Sequence, residues 1–345
     1  MKQSRGSWLV SILVLLSVPR TANSQDTGKQ MLRLVQTISM PNVKGRLDHM
    51  DVDVKGRRLF VAGLENGTLE VVDLESGKWI RSLSGFKKPQ GVLYVEQLNK
   101  LFVASGDDAM LRVFRGDTLD LLDSIQLESG PNRVAYEPHI KLVYVGYGGK
   151  DAGKDYGEIG IIDARNDKRI GDIKVAAHPS ELLLDEAGTT LFVFSSIANK
   201  LQVVDTSKRQ VVSTWKVSSE RPGDAAFEEP TSRLFIGTRT PPEMIVMDSQ
   251  SGKELTHLPT AEGMDGVYFD NRRKRIYVSG GRELPAGFVY VYQQKGGDHY
   301  DSVGKIATRA GAGTSFWSSP LDRYYVAAPA NGTQDAAILV YAPWE

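Results

Sequence analysis

Seven copies of one short apolar strand, spaced along nearly the whole chain, limit its fold more than any other feature of the sequence. They start at Leu59 (LFVAG), Leu101 (LFVAS), Leu142 (LVYVG), Leu191 (LFVFS), Leu234 (LFIGT), Ile276 (IYVSG) and Tyr324 (YYVAA), at successive spacings of 42, 41, 49, 43, 42 and 48 residues. A strand apolar on both faces has to be buried between two sheets. A repeat of about 40–45 residues is the length of one four-stranded propeller blade. In the first repeat, residues 50–54, 59–63, 68–74 and 79–84 read as four strands, and Asn66-Gly67 and Ser76-Gly77 are turn dipeptides between them. No stretch keeps a helical period. The expectation is an all-β, seven-bladed β-propeller of four-stranded blades.

The seventh repeat ends after residues 336–341 with no room for a fourth strand. Residues 34–40 (LVQTISM) are a spare strand ahead of the first repeat, so the N-terminal strand is expected to complete the last blade. Closure of this kind removes two open sheet edges. The chain has no cysteine, so neither disulfides nor thiolate metal sites contribute, and core packing must hold the ring.

Residues 1–24 read as a secretory leader, with residues 25–345 as a single propeller. Lys2 and Arg5 precede an eleven-residue apolar run at 8–18, and Ala22 and Ser24 supply small residues before a cut at Gln25. Eleven residues are too few for a bilayer span, which needs about 20. The expected location is periplasmic or secreted. Loss of Lys2, Arg5 and Arg20 with the leader leaves 39 basic against 42 acidic residues. That balance lacks the basic excess of a general nucleic-acid binder. No later segment could span a membrane, and a monomer is expected.

The strands LQVVDT (201–206) and RIYVSGG (275–281), repeated seven times behind a leader, resemble the YVTN-repeat (YncE-like) propellers over residues 32–343. The Gly-His and Trp-Asp pairs of WD repeats and the tryptophan-docking motif of quinoprotein propellers are missing. The resemblance implies a periplasmic or surface propeller, with members linked to single-stranded DNA or surface layers. It implies no catalytic residue.

Ligands of propellers gather at one mouth of the central channel. Here the extended loops at 148–156, 282–286 and 329–335 all fall between second and third strands, which marks that face. Counting ten residues back from each second strand gives a ring of His49, Gly91, Asn132, Glu181, Asp224, Gly266 and Thr314, with Asp48, Arg133 and Asp265 beside it. Carboxylates brought together need a counter-charge, a shared proton or water. Arg133, Arg46 and His178 are the internal candidates. The expected ligand site is therefore Asp48, His49, Arg133, His178, Glu181, Asp224 and Asp265, with Asp265 one residue out of phase.

Three readings fit such a mouth. One is a solvated opening whose charges neutralise one another. The second is a binding mouth, on a scaffold for a small molecule or protein partner, with Glu181, Asp224 and Asp265 as ligands if it takes calcium, magnesium or manganese. The third is a lactonase-like hydrolase with His49 or a carboxylate as general base. At the other face a basic residue precedes six of the seven second strands (Arg58, Lys100, Lys141, Arg233, Arg275 and Arg323). Pairing with carboxylates such as Glu96, Glu137 and Asp270 is expected there. Single-stranded nucleic acid is the alternative, against which stands the lack of interleaved aromatic residues. GGKDAGKD (148–155) nearly matches a phosphate loop but has Asp155 in place of the hydroxyl and no following helix, so it reads as a surface loop.

Overall fold

The computed structural model describes Met1, residues 31–149 and residues 152–344. The leader and the tip of the 148–156 loop lie outside the described residues. Seven four-stranded antiparallel sheets stand around a central channel. In blade 1, Met50–Asp53 is innermost, followed by Arg58–Gly63, Thr68–Asp73 and Lys78–Ser84. The second strand is apolar and buried from Leu59 to Gly63, whereas the outer strand is mostly exposed. This gradient follows from geometry. Inner strands lie between neighbouring blades, and outer strands meet water.

The ring closes as expected. Leu32–Met40 is the outer strand of blade 7, antiparallel to Ala336–Pro343, and Leu32 pairs with Pro343 while Met40 pairs with Ala336. Each blade interrupts the ladder between its third and outer strands, for example at Val71/Val72, Val113/Phe114 and Val203/Val204. Such bulges add local twist, which lets the outer strand turn away as the blades fan out.

Blades are held to one another by seven apolar clusters built mainly from second- and third-strand side chains. Tyr277 of blade 6 and Tyr324 of blade 7 are fully buried with ring centroids 5.2 Å apart. Each such buried side chain contributes about 1.5–3 kcal/mol relative to exposure.

Basic residues at the turn face pair within the protein, Arg273 with the expected Asp270 at 3.1 Å and others with different carboxylates. Arg58 pairs with Asp53 at 2.6 Å, Lys100 reaches Asp167 of the next blade at 2.8 Å, and Arg233 reaches Asp298 at 2.6 Å. Glu137 accepts the backbone N–H groups of His139 and Ile140 at 2.9 and 2.6 Å, so it shapes a turn instead of pairing with a second-strand base. In blade 3 the strand starts at Leu142, and Lys141 sits in the turn with φ 60°.

Candidate functional site

The innermost strands carry two tiers of polar side chains to one end of the channel, below the loops that enter these strands. Strand register fixes the deeper tier. Met50 pairs with Val61, Leu182 with Val193, and Ala225 with Ile236, which puts His49, Glu181 and Asp224 at one level. In blade 3, Val134 pairs with Val145 and Glu137 with Leu142. Leu142 therefore corresponds to Arg58, not to Leu59, and the ring residue is Arg133. The expected Asn132 belongs one level higher. Two ring positions are glycine because neighbours stand too close for a side chain. A Cβ on Gly91 would lie 2.0 Å from the Asn132 carbonyl oxygen, and one on Gly266 would lie 2.2 Å from Ser315 Oγ.

Arg133 joins the deeper tier. Its Nη2 donates to both Glu181 Oε2 and Asp224 Oδ1, so one guanidinium serves carboxylates from two further blades. Glu181 Oε1 accepts the Leu182 N–H at 2.8 Å. Burial and the repulsion of Asp224, opposed by Arg133, push the Glu181 carboxyl up to about 8. His49 is driven down to about 3 by burial and by the Arg133 charge, so its imidazole is neutral at pH 7.

The upper tier is organised around Asp265, which is 4% exposed. Arg239 Nη2 meets it at 2.7 Å, Arg46 Nη2 at 3.1 Å and Arg282 Nη1 at 3.7 Å, and Thr314 Oγ1 donates to it at 2.9 Å. Burial alone would raise this carboxyl, yet the three arginines hold it well below the usual carboxylate range. Asp48 lies at the same level, one residue before His49, and has fewer partners. It is 3.3 Å from Arg46 Nη2 and 3.6 Å from His49 Nε2, and neither of its oxygens accepts a hydrogen bond. Burial keeps its carboxyl raised. Asp265 is thus out of phase with Glu181 and Asp224, as the count implied, because it stands in this second tier.

Both tiers border a cavity of about 540 Å³. Of the seven residues expected from the sequence, Asp48, His49, His178, Asp224 and Asp265 line it, while Arg133, which donates to Asp224, and Glu181, which accepts from Arg133, lie beneath it. Arg46, Arg239 and Arg282 also line it and were not counted as a group from the sequence. Arg239 ends a second strand and Arg282 belongs to the loop after one, so a count along innermost strands passes them by.

Beneath the floor the channel changes character. A second cavity of about 320 Å³ is bordered by Leu93, Val134, Leu183, Phe227, Phe269 and Phe316, with Asp51 as a half-buried carboxyl. Asp51 accepts the N–H groups of Val52 at 2.8 Å and of Tyr94 in blade 2 at 2.6 Å, which ties two blades together. Burial lifts it to about 6 against those two bonds. Among the described residues no group of three or more histidine or carboxylate side chains has the geometry to hold a metal ion. Between Glu181 and Asp224 the positive charge is that of Arg133.

No protein-family model and no curated protein sequence matches the chain. Among solved structures 1585 chains match, so the architecture is common to many functions and indicates none by itself. One is a chain of Kuenenia stuttgartiensis hydrazine synthase, with a TM-score of 0.72, 16% identity, and coverage of 86% of this chain and 97% of that one. Another is a chain from the mitotic checkpoint complex, with a TM-score of 0.73, 13% identity, and coverage of 97% and 99%. At these identities the likeness shows the seven-bladed fold alone.

Proposed function

We propose that the protein is an exported, monomeric binding propeller of the YVTN-repeat type, whose ligand enters the polar mouth of the channel. The observation that carries this reading is the cavity of about 540 Å³ into which blades 1, 5 and 6 direct the buried groups Asp48, His49, Asp224 and Asp265. Pockets of this volume suit small molecules, and a few convergent polar groups supply their orientation. Evolution of an inert channel does not require charges to be desolvated at this cost.

The test is a thermal-shift screen of the mature protein against sugars, polyols, organic acids, amino acids, and calcium, magnesium and manganese salts. A hit is expected that is lost in Ser180→Trp, which fills the cavity from its wall. Failure of every compound to shift the transition would count against the reading. A start at Gln25 in the exported protein is the matching expectation for the leader.

A lactone hydrolase is the second reading, favoured by Glu181, whose raised carboxyl would hold a proton to give at neutral pH. His49 fits less well as its base, since an imidazole pushed down to about 3 accepts a proton poorly. Turnover of a lactone that Glu181→Ala abolishes without loss of folding would select this reading. Nucleic acid is not adopted, because the basic turns at the other face already pair with Asp53, Asp167 and Asp298.

A further inference from the structure

The mouth carries more positive than negative charge. Its lining includes Arg46, Lys88, Arg221, Arg239 and Arg282 against Asp48, Glu220, Asp224 and Asp265. Asp224 is already engaged by Arg133 below, and Asp265 alone faces three guanidiniums. The Arg221 guanidinium has no ion-pair or hydrogen-bond partner among the described residues, and its residue sits at the exposed rim with φ 57°. Arg282 is 26% exposed and is held at 3.7 Å from Asp265, longer than a direct hydrogen bond; its Nε donates to the exposed Glu283 at 3.3 Å, which leaves its two Nη groups open to solvent exchange. Two arginine side chains therefore remain able to receive an anion at the entrance.

A second, independent observation lies in the wall of the same cavity. Asn132 is 7% exposed, and its side-chain oxygen has no hydrogen-bond partner. Both oxygens of Asp48, 1% exposed, also lack a hydrogen bond, although Arg46 Nη2 stands 3.3 Å from Oδ1. Buried acceptors left unmade cost about 1–3 kcal/mol each, so a ligand that supplies donors there gains their satisfaction. A carboxylate or sulfate group has no donor to offer at neutral pH. Hydroxyl groups do, and each can donate to Asn132 or Asp48 while it accepts from a neighbour.

The two observations concern one cavity, whose lining offers both arginines able to meet an anion and buried acceptors without donors. We infer that the mouth binds a small polyhydroxylated organic acid, a sugar acid, with its carboxylate toward Arg282 and Arg221 and its hydroxyls toward Asn132 and Asp48. This assignment rests on the channel mouth being a binding site. An arginine pair also accepts a carboxylate in two-pronged geometry, which fixes the ligand's orientation.

The probe is D-gluconate, titrated calorimetrically into the mature protein at pH 7, with sorbitol and sulfate as comparisons. Gluconate is expected to bind one to one, with sorbitol and sulfate each at least about tenfold weaker, since each lacks one of the two contacts. Arg282→Gln is expected to weaken gluconate by about tenfold. Asn132→Asp keeps the shape and adds a negative charge, and it is expected to weaken gluconate further while sulfate shows no gain. Equal binding of sorbitol, unaffected by Arg282→Gln but lost in Ser180→Trp, would overturn the anion and leave the mouth a binding site. Equal binding of sulfate would overturn the hydroxyl contacts in the same way. No binding of gluconate at all would overturn this inference, and the compound screen with Ser180→Trp then decides the binding reading on its own.

Discussion

The two halves of the channel are made from the same seven innermost strands, yet they differ in nearly every chemical respect. One level of those strands carries His49, Arg133, Glu181 and Asp224, and two or three residues further along come Leu93, Leu183, Phe227, Phe269 and Phe316. Because the blade cores are made by second and third strands, side chains at the ends of the inner strands are released from the main packing. They can be charged at one end and aromatic at the other without disturbing the ring. The Arg133–Glu181–Asp224 cluster is the wall between the halves. Asp224 faces the polar cavity, whereas Arg133, which donates to it, and Glu181 face the apolar one.

That contrast can be broken most severely at the wall. Arg133→Met leaves the buried Asp224 without its counter-charge and Glu181 Oε2 without its donor, and is expected to destabilise the protein by about 3–5 kcal/mol in urea unfolding at pH 7. Adding Glu181→Gln and Asp224→Asn should recover a large part of that loss. Next in size is a pH effect. The native Glu181 carboxyl holds a proton that the unfolded chain, near its ordinary value of 4.5, gives up. The stability it contributes is complete below about 4.5 and declines as the pH climbs to about 8. Glu181→Gln should remove that decline, so its stability relative to the parent rises over this window by an amount on the order of a few kcal/mol.

In the apolar half, Phe269 stacks on Phe235 at 5.3 Å between centroids and remains partly exposed. Phe269→Ala should cost about 2 kcal/mol in the same unfolding assay, with gluconate titration at the opposite mouth unchanged. The smallest effect belongs to the rim. Arg282→Gln should alter the unfolding free energy by less than about 0.5 kcal/mol, since its pairs with Asp265 and Glu283 are long or exposed. A large loss there would mean that the polar half depends on its arginines for folding and not for recognition.

The architecture was legible because apolar second strands recur at nearly constant spacing, and the closing strand was legible from a missing partner in the last repeat. Blade 3 shows where the reading slipped. In KLVYVGY both Leu142 and Val143 are apolar, and a strand buried on both faces gives no alternation to fix its phase. Taking Val143 makes the first two spacings both 42, a regularity that identifies Arg133 as the ring residue in place of Asn132. The acidic members of the site were within reach of such counting because they sit on inner strands. Arg239 and Arg282 were not, since their approach to Asp265 depends on how the second strand of blade 5 meets blade 6 and how the loop after the second strand of blade 6 folds back over its own blade. The apolar half was missed for a different reason. Phe227 and Phe269 look like ordinary core residues in sequence, and only the width of the channel leaves them partly bare.

The pairing of Leu32–Met40 with Ala336–Pro343 also sets an order of events. Six blades are each assembled from neighbouring stretches of chain and can zip locally. The seventh joins residues some 300 positions apart, so it bears the entropic penalty of a very long loop and forms late. A polypeptide halted short of Ala336 would strand its own first strand and leave the flanks of blades 1 and 6 bare together. Completion is thereby reported at a single seam, and a protease given a nascent or damaged molecule would find its entry there first.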